Sequence, residues 1–107
     1  MIDAAKERCR GWAAGIDVRH LSALDSDKLH RVYKDEQRAD DPFRRAMARL
    51  DFALFVTAYV SYHDDRPSKQ KVTDLNRICG PMSRRVYWDQ LDRLHHFVAG
   101  FDLGAGQ

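Results

Sequence analysis

The sequence lacks the features that announce several protein classes. It has two cysteines, Cys9 and Cys79. They stand far apart, without the spacing of a metal knuckle or a redox pair, and two cysteines build no disulfide framework. The amino terminus, MIDAAKERCR, carries a charge every few residues and has no apolar centre, which excludes a secretory signal of the usual kind. The longest apolar stretch, residues 52–60, is interrupted by Thr57. It falls well short of the roughly 20 residues that cross a bilayer. No internal repeat and no low-complexity tract is present. There is no glycine-rich phosphate loop, no strand-turn-helix nucleophile elbow and no paired carboxylate motif. These absences predict a cytoplasmic protein that is not an enzyme and needs no cofactor.

Metal ligands are equally sparse. The HDD run at residues 63–65 and the adjacent pair His95 and His96 are the candidates. Neighbouring residues on a helix diverge by about 100°, so His95 and His96 do not clamp one ion. No histidine pair at a four-residue step occurs, and no metal site is expected.

What is present suits one helical domain. The chain has 107 residues, 44% of them apolar, enough for a modest core without metals or disulfides. Ile2, Ala5, Cys9, Trp12 and Ala13 recur at helical steps, which predicts a first helix over residues 3–14 closed by Gly15. A second helix is expected over residues 22–38, capped by Ser22 or Ser26, with Leu29, Val32 and Tyr33 inward. Asp41 and Pro42 form a helix start, because proline lacks an N–H where none is needed. Phe43, Met47, Leu50 and Leu54 then mark one face, and the pattern runs on to Tyr62 without a turn signal. A single long helix over residues 42–62 is therefore expected, buried at the centre of the fold. Pro67 breaks the chain into a loop. Beyond it, a short fourth helix over residues 74–79 would be capped by Thr73. A fifth over residues 83–99 would turn Tyr87, Leu91, Leu94, Val98 and Phe101 inward. The expectation is all-α, about five helices.

Charge is uneven along this chain of net +2. Residues 66–93 hold seven basic side chains against three acidic ones, while residues 1–65 hold eleven against twelve. A basic third beside a neutral remainder fits a polyanion contact, and fits a plain solvated surface about as well.

The stretch VTDLNRICG followed by SRRVYWDQLDRL joins two helices through Gly-Pro. Leu75 and Ile78 can pack, Gly80 can make a tight corner, and Ser83, Arg84 and Arg85 stand at the start of the next helix. Over residues 71–98 this resembles the helix-turn-helix DNA-binding superfamily, nearest its winged-helix transcriptional regulators. Gly80 and Val86 hold the family's glycine-to-valine spacing. Too few residues follow for a wing, so the resemblance implies a wingless trihelical head. It implies double-stranded DNA as partner, with Ser83, Arg84, Arg85 and Trp88 facing it. Lys69 and Lys71, read as loop residues, and Thr73 would add phosphate contacts. Arg85 lies on the outward face with Asp89, Asp92 and His96. The two aspartates repel phosphate, so only the first turn is expected in the groove. Residues 1–65 would form a platform and a homodimer surface. The alternative is a helical interaction module, an inhibitor or adaptor of another regulatory protein, using Trp12 and the apolar 52–62 segment. Its Gly-Pro corner would be structural.

Overall fold

A computed structural model describes residues 2–16, 26–63 and 67–105. Among these residues the chain is all-helical, with six helices and no strand. They are α1 (Ile2–Gly15), α2 (Ser26–Glu36), α3 (Pro42–Met47), α4 (Phe52–His63), α5 (Ser68–Cys79) and α6 (Arg84–Ala105).

The organising element is α4. Every residue from Leu54 to Val60 is buried. A helix apolar on all sides is stable only when other elements enclose it. Helices α1, α2, α5 and α6 do so, and α1 also packs on α6. From α1 come Ala5, Cys9, Trp12 and Ala13, one stripe at three- and four-residue steps. Trp12 meets the Phe55 ring edge-on at 5.4 Å. Burial also pushes the Cys9 thiol up to about 12, so it stays protonated and inert at neutral pH.

The expected long helix over residues 42–62 is two helices, and this makes six of the expected five. The break falls at residues 48–51. Asp51 restarts the chain: its Oδ1 accepts from the Leu54 amide at 2.7 Å, a side-chain N-cap. The carbonyls that the break frees are taken by donors at the end of α2 and just beyond it. Tyr33 donates its hydroxyl to Leu50 O at 2.5 Å, and Gln37 donates its amide to Ala48 O at 3.1 Å. A cap and two acceptors satisfied from elsewhere in the chain override an unbroken apolar pattern.

The six-residue α3 is held largely by α2. Asp41 caps it as expected, accepting from the Phe43 amide at 2.9 Å. At the end of α2 the buried Glu36 takes two hydrogen bonds from Arg44, at 2.8 and 2.6 Å. Arg45 donates to the carbonyls of Ala39 and Asp40.

The other boundaries also shift. Helix α1 includes Gly15 and begins at Ile2. Helix α2 spans less than the expected 22–38, and the candidate cap Ser22 lies outside the described residues. The expected short helix over residues 74–79 is a twelve-residue α5 that starts just after Pro67. Thr73 therefore caps nothing. It sits mid-helix, with its hydroxyl donated to Lys69 O at 3.0 Å. Lys69 and Lys71 are helical, not loop residues.

Helix α6 runs six residues beyond the expected end at 99. The added turns brace the far end of the fold. Phe101 packs on Phe43, ring centroids 5.4 Å apart, and Arg8 lies over the same Phe43 ring and 3.4 Å from Asp102. Tyr87, Leu91, Leu94 and Val98 are buried as the stripe predicts, with Phe101 half-buried. Thr57 faces Gln90, Ser61 faces Tyr87 and Tyr62 meets His95, so α6 packs along the second half of α4.

Two outcomes follow. Arg44→Met strands a buried carboxylate and should lower unfolding free energy in urea by about 2–4 kcal/mol, while Glu36→Gln with Arg44→Met should recover most of the loss. At the α4–α6 contact, His95 shares a hydrogen bond with the Tyr62 hydroxyl. Burial first, and then Lys6, lower its pKa from 6.5, opposed by Asp92 and aided by His96. The unfolded chain thus binds the proton first. His95's contribution is complete above 6.5 and is lost as pH falls through that value toward the folded pKa. Acidification from about pH 7.5 to about pH 5.5 should therefore cost the wild type more stability than His95→Gln.

Candidate nucleic-acid interface

The Gly-Pro corner between α5 and α6 is a built structure. Gly80 ends α5 with φ +93°, the one positive φ among the described residues, in a region that side chains rarely adopt. Its amide donates to Asn76 O at 3.1 Å, closing the last turn. Asn76 then clasps the chain beyond the corner. Its Nδ2 donates to Met82 O at 2.6 Å, and the Met82 amide donates to its Oδ1 at 2.5 Å. Met82 itself is buried, so the turn is pinned to the core as well as to α5. Asn76 is the positioning residue that sequence reasoning missed. The available signal was an amide side chain four residues before a glycine, able to donate and accept at once.

Past the corner, Ser83 caps α6 by accepting from the Val86 amide at 3.1 Å. The amides of Arg84 and Arg85 precede the first helical donor, the Tyr87 amide bonded to Ser83 O, and have no partner within the helix. Both arginine side chains are exposed, and among the described residues no carboxylate pairs with either. The start of a 22-residue helix thus presents two free guanidiniums beside its positive pole.

The sequence-predicted residues separate into groups. Ser83, Arg84 and Arg85 form one contiguous exposed tip. Trp88 lies one turn further, 53% exposed, its ring edge-on to Tyr87 at 5.1 Å. Lys69 and Thr73 share an exposed stripe of α5 with Arg77. Lys71 is turned the other way and donates to Ser61 O of α4 at 3.0 Å. Val86, which shares the family spacing with Gly80, is 40% exposed and not packed beneath the corner. Asp89 and Asp92 are also exposed, with Asp92 3.7 Å from His96. Negative charge thus begins in the second turn and leaves the first turn cationic.

No three histidine, cysteine or acidic side chains converge among the described residues as a metal would require. No helix among them is long and apolar enough to cross a membrane. In comparison with known proteins, the chain shows no significant match to a family model, a curated protein or a solved structure.

Asn76→Ala removes both clasp bonds and should cost about 1–3 kcal/mol in chemical unfolding. Gly80→Ala meets no atom within 4 Å, so its cost comes from φ alone. That cost should be about 1–2 kcal/mol.

Proposed function

We propose that the protein is a small DNA-binding regulator of transcription, not an enzyme, that contacts double-stranded DNA through the first turn of α6. One observation carries this reading: an exposed, unpaired Arg84–Arg85 tip set at a fixed angle by the Asn76 clasp. The free first-turn amides and the helix dipole receive one phosphate, and the arginines hold neighbouring phosphates or the paired acceptors of guanine. Lys69 and Thr73, on the exposed stripe of α5, add backbone contacts. Asp89 keeps the second turn off the duplex. A single trihelical head offers little area, so two copies bind a two-fold site as a homodimer.

A second reading has its own observation. Trp12 and residues 54–60 are buried in the core and offer no partner surface, whereas Val86 and Trp88 are large apolar side chains exposed in the first two turns of α6. They would suit an interaction module that docks on another regulatory protein, with the corner serving only to present them.

Fluorescence anisotropy with a mixed-sequence duplex separates the two. DNA binding predicts strong weakening between about 50 and 200 mM salt. Arg84→Glu with Arg85→Glu should weaken binding at least about tenfold and flatten the salt slope by about 2. Absence of binding at the lower salt, or a double variant that binds like the wild type, favours the interaction module.

A further inference from the structure

A second feature lies on the flank of α6 and does not depend on duplex contact. Helices α1, α4, α5 and α6 border an open cleft of about 450 Å³. That volume falls within the range of about 300–1,000 Å³ typical of small-molecule sites.

Its charge is one-sided. Lys6 and Arg10, four residues apart on α1, face the cleft together, and Lys71 reaches it from α5. Arg10 also pairs with Glu7, and Lys71 is tethered to Ser61 O. Among the described residues, only Asp92 brings a carboxylate to the wall itself. His95 adds no positive charge near neutrality, because burial and Lys6 hold its proton off. Among the described residues the lining carries three cations, one of them shared with Glu7, against Asp92, an excess of positive charge that favours an anion.

The remaining lining is largely apolar. Trp88, Leu91 and the Tyr62 ring border the cleft, with the Tyr62 hydroxyl engaged by His95. The Tyr87 hydroxyl is likewise engaged, by Ser61. These rings offer faces and edges to a planar body, and an inorganic ion would use none of them.

We propose that this cleft binds a small organic anion with a flat apolar body, an aryl carboxylate in chemical class. The carboxylate lies between Lys6, Arg10 and Lys71, and the ring lies against Trp88 and Leu91. The site stands on the cleft's own geometry and not on the DNA-binding reading.

The test is titration of the full chain with 2-naphthoate, followed by calorimetry and by the indole N–H signals of Trp88 and Trp12. Binding is expected with a Kd of about 0.1–1 mM. The Trp88 signal should shift and the buried Trp12 signal should stay. The neutral isostere 2-naphthalenemethanol and inorganic phosphate should each bind at least about tenfold more weakly. Lys6→Gln with Arg10→Gln, the first half-buried and the second exposed, should weaken 2-naphthoate about tenfold or more, and Trp88→Ala should weaken it too. No heat and no shift at about 5 mM would overturn the proposal. So would equal binding of the alcohol or of phosphate, or indifference to the charge substitutions with circular dichroism unchanged.

Discussion

The structure depends on one constraint: α4 is apolar on every side, and water must be kept from all of it. Seven consecutive buried residues cannot be satisfied by a single partner helix. Each large side chain among them is worth about 1.5–3 kcal/mol when buried, so the chain gains most by wrapping. The wrap lays α6 against α4, with Tyr87, Leu91, Leu94 and Val98 facing inward. Once those residues are committed, the opposite face has no choice. Arg84, Arg85 and Asp89 must project into solvent.

The corner turns that packing into a defined presentation. A glycine hinge alone would leave the start of α6 free to swing. Asn76 removes that freedom by holding both polar groups of Met82, and the Met82 side chain anchors the same point in the core. The cationic tip is therefore positioned by three independent restraints. The cleft sits on the same helix one to two turns further along, with Trp88 bordering it. Tip and cleft share α6, yet they differ in charge environment and shape. One is an open surface suited to a repeating polyanion. The other is a recess suited to a small planar anion.

Much of this was legible in the sequence, for identifiable reasons. The inward stripe of α6, the Asp41–Pro42 start and the glycine corner are local signals, written within a turn or two of where they act. Most of the misses are cases where residues outside the local stretch decide. The break before α4 needs Tyr33 of α2 and Gln37 just beyond it to donate to its stranded carbonyls, and nothing near residue 48 says so. Thr73 reads as a cap only while Pro67 is taken to end in loop. The proline instead starts α5, and threonine bonds back to its own helix. The extension of α6 is supported by Phe43 and Arg8, far away in the chain. The cleft is assembled from four helices, so no stretch of sequence contains it.

The central claim is that the first turn of α6 is the surface that meets a duplex. Amide chemical-shift mapping on the full chain, with a duplex added at low salt, tests it most directly. The account predicts that the largest changes fall on residues 83–88, with smaller ones along the exposed stripe of α5 at Lys69, Thr73 and Arg77. Changes centred on α1 and α2, or a spectrum that the duplex leaves untouched, would contradict it.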